Sequence, residues 1–557
     1  MQARRKGAGR LSPVKPFQRR MREILPKRCV VRLSVNTTYK KGAKMKQSDQ
    51  TQPFAEAVRS FPKRHPYLCT AVLCLSCILL YPQTQSAEQL PFLLHAQSWM
   101  LVMIPLLIVL GIFLLYKGKL TDGRTALLLI AAGFCMRLAY VIATPYYIRQ
   151  HDVGRFDGDD GHAAYITYLY EHMHLPDFDV REVWQFYHPP LHHSIAALWM
   201  RLLTGCGIPF EHAGESVQLL TLSYSCLTLV LFWQILRHFQ LKGLAMAVPL
   251  AVMAFHPTFI ILAGSVNNDM LCITLMLASV LLTLRWFREP KLSTILKLAL
   301  TIGLGMMAKL SAWMTAPAAA AAFLVILYRN RKAPLPYLKQ FVLFGIVCVP
   351  LGLWWGIRNL LRWGVPIAYV PMLSDNSSQF VGNIPFWRRL FDFSAQQWTY
   401  VYDCFKMYGQ SYDEFNPLMG LLKTAMFDEL INPEYYPAIA GFGELLFFSQ
   451  VLLCLLAAAA MTAVCRKHTE LIGGMEKVQL CMTFGITLIS YYSFCLAFAH
   501  VCTQNIRYAT PLIFISCLFL GLWMQQLPEK SPLRKVICGA AVLFAAASYI
   551  VYDVVCG

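Results

Sequence analysis

Long apolar runs alternate with short polar breaks along most of the chain. A membrane-crossing helix needs about 20 apolar residues, with about 17 as a lower limit. Runs of that kind lie near 67–81, 96–116, 125–144, 189–205, 217–236, 243–262, 267–285, 295–310, 312–328, 338–356, 438–464, 478–498, 507–525 and 534–552. Two long polar intervals interrupt them, 145–188 and 357–437.

The basic loops decide how many runs cross. Lys117–Arg124, Arg237–Lys242, Arg285–Lys297, Arg329–Lys339, Arg466–Lys477 and Lys530–Lys535 should all face the cytoplasm, because short Lys/Arg-rich loops stay inside. Fourteen crossings put three of these loops on the wrong side. The conflict disappears if 189–205 does not cross. That run begins Pro189-Pro190, and Leu191, Ile195, Leu198, Trp199 and Leu202 recur at helical spacing while His192, His193, Ala197 and Arg201 fall on another face. It reads as an amphipathic helix lying in the interface. The expected fold is an all-α polytopic membrane protein with about 13 transmembrane helices and interfacial helices in the first outer loop. The N-terminus is then cytoplasmic.

Composition supports this class. The chain has 557 residues, 57% hydrophobic and 14% charged, and a mean hydropathy of +0.46. A soluble domain carries about 25% charged residues. The formal net charge of +20 is uneven. Residues 1–66 hold 18 Lys and Arg against 3 acids, and the rest holds 32 against 27. Residues 1–66 are expected to form a basic, disordered cytoplasmic tail, and Met45 opens a more ordinary leader. So apolar a body argues against a nucleic-acid partner. The 18 cysteines mostly sit inside apolar runs, so no disulfide framework is expected. Cys74-x-x-Cys77 lies within a run without a nearby histidine.

The first outer loop, 145–216, has 10 acids against 4 bases, a net of −6. It contains Asp157-Gly-Asp159-Asp160-Gly-His162, three carboxylates in four residues just past a membrane exit. Crowded carboxylates repel unless a cation balances them, so Asp157, Asp159 and Asp160 are candidates for a general base or a cation site. His188 and His192, in Tyr187-His188-Pro189-Pro190-Leu191-His192, are four residues apart and suit a phosphate contact or a metal. Asp269 follows Asn267-Asn268 at an outer helix end, where helix capping is the competing reading. Lys309, Arg358 and Arg507 reach the same side, and Arg137 lies within a span, where an ionised group is expensive. A mixed-sign site beside lipid suits an amphiphile with an anionic head.

These pieces resemble the integral-membrane glycosyltransferases of the GT-C superfamily, in the family 39 group of protein O-mannosyltransferases and aminoarabinose lipid A transferases. The resemblance covers roughly 125–525. It rests on Asp159-Asp160, Tyr187-His188-Pro189-Pro190-Leu191, Asn268-Asp269, Gly-x-Gly-Met-Met-Ala-Lys309, Trp354-Trp355-Gly-Ile-Arg358-Asn359, Leu422-Lys423-Thr424 and Arg507-Tyr508-Ala-Thr-Pro511. It implies transfer of a sugar from a polyprenyl-phosphate donor, with inversion, on the outer face of a bacterial plasma membrane. The acceptor is a protein, lipid or glycan. It also implies Asp159 as base, with Asp160 beside it and Asp269 as a second acid. His188, Lys309, Arg507, Arg358 and Arg137 then form the phosphate-binding group. A divalent metal held by Asp159, Asp269 and His188 is the one cofactor the set allows. The implied organisation is two extra N-terminal helices over 67–124, a catalytic transmembrane module over 125–356, a second large outer loop over 357–437 and C-terminal helices over 438–557. A transporter or flippase of lipid-linked sugars is the competing function.

Overall fold

The computed structural model describes residues 96–149, 151–402, 414–429 and 431–557. The tail 1–66, the run 67–81 and Cys74-x-x-Cys77 lie outside the described residues. Within them the fold is helical, and the only strand-like pairings are two isolated bridges, Phe380 with His500 and Thr469 with Ile472.

The twelve expected spans that fall among the described residues are all helical. They are α1 (Ala96–Tyr116), α2 (Asp122–Ala143), α6 (Gln218–His238), α7 (Leu244–Ala254) with α8 (Pro257–Ile261), α9 (Asp269–Arg288), α10 (Leu292–Ala308), α11 (Ala316–Arg329), α12 (Leu335–Trp363), α15 (Ala440–Arg466), α16 (Gly474–Ala497), α17 (Pro511–Gln526) and α18 (Pro532–Cys556). Among the described residues, nine helical segments are long and apolar enough to cross a membrane, and the α7–α8 pair makes a tenth if it counts as one span bent by 53°. α10 and α17 are shorter, at 17 and 16 residues. At 1.5 Å per residue they reach about 25 Å.

The remaining helices are α3 (Gly161–His172), α4 (Leu191–Gly205) and α5 (Phe210–Glu215) in the first loop, and α13 (Phe386–Phe391) and α14 (Pro417–Phe427) in the second. α4 covers the run whose charge pattern argued against crossing. It packs against α3, α5 and α10. His192 and His193 on α4 are buried, and Leu198 and Leu202 are exposed.

The bend between α7 and α8 follows from Pro257, which cannot donate to a continuing helix. The carbonyls it frees must find partners. Arg137 supplies them. Its guanidinium donates to Ala254 O at 2.7 Å, Met253 O at 3.1 Å, Gly133 O at 2.8 Å and Ser225 Oγ at 2.9 Å. Gly133 permits this approach, since a Cβ there would lie 3.0 Å from the guanidinium. Arg137 is therefore fully buried as a helix-break cap. The expectation that it serves a phosphate is corrected.

If α4 does not cross, strict alternation gathers the loop after α2, the start of α9, the end of α10, the end of α12 and the turn before α17 at one end. The side-chain contacts below show these segments touching. At the other end, Arg288 Nε meets Glu476 Oε1 at 2.7 Å, and His238 Nε2 meets the same oxygen at 3.3 Å.

Candidate active site

A cavity of about 280 Å³ opens at the end where these segments meet. Asp152, His188, Lys309, Trp355, Arg507 and Tyr508 are among its lining residues.

The first loop delivers Asp152 through a tight crossing of two chain segments. The first free amides of α3 are satisfied by the preceding strand of loop: His162 N donates to Asp152 O at 3.0 Å, and Ala163 N to Val153 O at 2.8 Å. Backbones can approach this closely only at glycine. Gly154 and Gly161 have φ of +63° and +88°. A Cβ on Gly154 would overlap Asp160 O, and one on Gly161 would lie 2.5 Å from Val153 O. Asp152 itself has φ of 56°, a sparsely populated region that Asp tolerates better than most residues.

The crossing turns Asp152 to the cavity and the later acids away from it. The Asp152 side chain is 34% exposed and meets the buried Arg507 guanidinium at 3.1 Å. Asp157, Asp159 and Asp160 are exposed and do not line the cavity. Asp157 pairs with Arg155 at 3.0 Å, and Asp160 occupies the N-cap of α3. The expectation that these three acids gather at the site is corrected: the loop brings Asp152, not Asp157, Asp159 or Asp160, to the cavity.

A second carboxylate, Asp269, sits behind the cavity cations. Asp269 begins α9, and its amide is held by Asn267 Oδ1 at 3.1 Å. Asn268 reaches across to α10, its Nδ2 donating to Ala308 O at 2.7 Å. That bond ties down the end of α10 just before Lys309. The Lys309 ammonium then pairs with Asp269 Oδ1, while Arg507 approaches Asp269 Oδ2 at 3.8 Å. Asp269 is only 3% exposed at its side chain. It serves the two cations, and Asp152 is the carboxylate more open to an incoming group.

Tyr508 lies against both cations. Lys309 Nζ stands 4.9 Å from its ring centroid and the Arg507 guanidinium 4.8 Å. Such contacts favour each cation over a ring face. The Arg507 turn is held from behind by α14, where Thr424 Oγ1 accepts from Ile506 N at 3.0 Å. The Lys423-Thr424 pair is thus structural here, with Lys423 buried on Glu414 at 2.5 Å.

His188 lines the cavity and stacks on His162, with centroids 5.1 Å apart. Burial, then the Lys309 ammonium, His193 and the Arg507 guanidinium, hold its imidazole well below the usual histidine range. His162 is lowered by burial and then by His188 and Lys309, and its Nδ1 lies 2.8 Å from His193 Nε2. His188 is neutral at pH 7 and presents a neutral donor or acceptor. Arg358 lies outside the cavity lining, contrary to expectation. It stacks on Trp355 and Trp363 at 4.9 and 4.8 Å, donates to Asn359 Oδ1 at 2.9 Å and binds Pro176 O. Its role is to dock the first loop onto α12.

The expected metal set of Asp159, Asp269 and His188 is not gathered. Asp159 is outside the cavity, and Asp269 Oδ1 is paired with the Lys309 ammonium. Among the described residues, the one His/Asp/Glu group close enough for shared ligation is His151, Asp428 and Glu429.

Residues 187–355 match the family model described as dolichyl-phosphate-mannose-protein mannosyltransferase. No curated protein matches. Among solved structures, ArnT from Cupriavidus metallidurans in the apo state is 12% identical, with 75% of this chain and 74% of that one covered and a TM-score of 0.42. The same protein bound to undecaprenyl phosphate gives 12%, 77%, 76% and 0.42. The Archaeoglobus fulgidus oligosaccharyltransferase gives 11%, 77%, 55% and 0.41. The segment that contributes His188, Lys309 and Trp355 to the cavity, and that carries Asp269 behind Lys309, therefore matches the sequence pattern of the dolichyl-phosphate-mannose-protein mannosyltransferase family.

Proposed function

We propose that the chain is a membrane glycosyltransferase that moves a sugar from a polyprenyl-phosphate donor to an acceptor hydroxyl, inverting the anomeric centre on the outer face of the membrane. One observation carries the reading. A half-open carboxylate, Asp152, stands against Arg507 and beside Lys309 in a cavity built partly from the family-matching segment.

Each group then has a task. Asp152 takes the acceptor proton as the hydroxyl oxygen attacks the anomeric carbon. The carbon–oxygen bond to phosphate breaks, and its electron pair leaves with the phosphate. Lys309 and Arg507 balance the charge that develops there. Neutral His188 donates a hydrogen bond to a phosphate oxygen without adding charge. Asp269 keeps both cations aimed into the cavity when no donor is bound. None of these steps requires a metal ligand.

The transporter reading gains little. Transporters expose polar backbone at paired broken helices, whereas the one bent pair among the described residues is closed by Arg137. The test is to incubate purified protein with a panel of undecaprenyl-phosphate-linked sugars and candidate protein, lipid and glycan acceptors, followed by mass spectrometry. Covalent transfer that disappears in Lys309→Met and Arg507→Met supports the reading. Movement of the lipid-linked sugar across sealed vesicles without covalent transfer contradicts it.

A further inference from the structure

Three charged side chains packed behind the cavity are not used by this chemistry. His151, Asp428 and Glu429 are all buried. His151 Nε2 lies 2.7 Å from both Asp428 carboxylate oxygens, and its Nδ1 lies 3.3 Å from Glu429 Oε2. A carboxylate thus stands at each ring nitrogen, an arrangement that suits the imidazolium, which carries a proton on both. Asn505 joins the same two acids. Its Nδ2 donates to Asp428 Oδ1 at 2.8 Å and to Glu429 Oε1 at 3.0 Å, and its Oδ1 accepts from Arg507 N at 2.9 Å.

Each end of this cluster is attached to a cavity group. His151 immediately precedes Asp152, and Asn505 holds the amide of Arg507. Asp152 and Arg507 then pair with each other. Asp152 and Asp428 both have positive φ, 56° and 53°. Conformations of that kind persist only where the surroundings impose them.

We propose that His151, as an imidazolium clamped between Asp428 and Glu429, is a positioning residue that fixes Asp152 against Arg507 in the reactive arrangement. The proposal rests on the reading of Asp152 as the base. His151 touches neither sugar nor phosphate. It joins the first loop to the segment after α14, and Asn505 joins that segment to the turn carrying Arg507.

The charged groups facing His151 are Asp428 and Glu429 after α14, Arg507 on the turn before α17 and Asp269 at the start of α9. Burial disfavours the cation, but Asp428 and Glu429 outweigh it and push the histidine up to about 10. A group raised in the folded state contributes fully below its unfolded value, and the contribution is lost as pH rises through the folded value. The clamp should therefore hold through neutral pH and release near pH 10.

The test uses the full chain in detergent and the member of the undecaprenyl-phosphate-sugar panel that it turns over. His151→Asn should lower kcat about a hundredfold, with donor KM within threefold and a lowered but still cooperative thermal transition. Glu429→Gln should lose about tenfold, and His151→Arg should recover at least tenfold over His151→Asn. The wild-type rate should fall reversibly only as pH approaches 10. Asp152→Asn is measured in parallel. If it is inactive while His151→Asn has wild-type kcat and an unshifted alkaline limb, the clamp is wrong and the base assignment stands. If Asp152→Asn is active, the base assignment itself fails. If His151→Asn does not fold, Glu429→Gln and the wild-type pH profile decide. One tightly bound divalent metal per wild-type chain, lost in Glu429→Gln, would overturn the imidazolium.

Discussion

Asp152 and Asp159 are seven residues apart in one acidic loop, yet they meet different surroundings. Asp152 faces a cavity with two cations; Asp159 faces outward from an exposed loop. The local sequence favours the wrong one, because three acids in four residues stand out and a single Asp after His151 does not. The signal that separates them is the glycine pair. Gly154 and Gly161 let the loop cross itself, and the crossing decides which acid turns inward. Gly161→Ala should therefore displace Asp152. We expect at least a tenfold loss of transfer with the fold retained, measured as turnover beside size-exclusion profiles. Asp269, Lys309, His188 and Arg507 are legible in the sequence because each lies at a helix end or turn whose side follows from alternation. Arg137 and Arg358 lie on the expected helices but bind backbone carbonyls and aromatic rings. Sequence identifies a buried cation more readily than its partner.

At the scale of elements, irregular junctions do the positioning. The α7–α8 break is held by Arg137, the α9–α10 ends by Asn268, and the turn before α17 by Asn505 and Thr424. A buried acceptor left without its donor costs on the order of 1–3 kcal/mol. Arg137→Met strips two carbonyls at the helix break, so we expect a loss of about 3 kcal/mol. Thermal unfolding in detergent should report it, and a midpoint equal to wild type would show that the carbonyls find other partners. Asn268→Leu removes one bond near Lys309. It should weaken undecaprenyl phosphate binding several-fold, measured by titration, and lower the thermal midpoint by less than Arg137→Met does, since one carbonyl rather than two loses its donor. Helix positions are read well from apolar runs, because crossing a bilayer fixes their length. Their breaks are read poorly, because the partner that satisfies a freed carbonyl is distant in sequence.

For the whole molecule, the arrangement depends on one helix not crossing. α4 is apolar enough on one face to be mistaken for a span, and counting it as one would separate Asp152 from Asp269 and Lys309. Asp152 and Asp269 both reach Arg507, as the basic loops at the opposite end require. The account expects 330–334 and 371–378 on opposite sides of the membrane, with 330–334 inside. Short epitope insertions at the two places, probed in intact cells and in inverted vesicles, should be reached from opposite sides. Access to both from one side would contradict the topology. The net −6 of residues 145–216 proves less informative than its distribution, since one acid of the ten reaches the cavity.

The most direct measurement compares Asp152→Asn with Asp159→Asn for sugar transfer from the polyprenyl-phosphate donor, both proteins being shown to fold. The account predicts a loss of about a thousandfold for Asp152→Asn, in the range expected for removing a general base. It predicts a change of less than threefold for Asp159→Asn. Near-wild-type transfer by Asp152→Asn, or an inactive but folded Asp159→Asn, would contradict it.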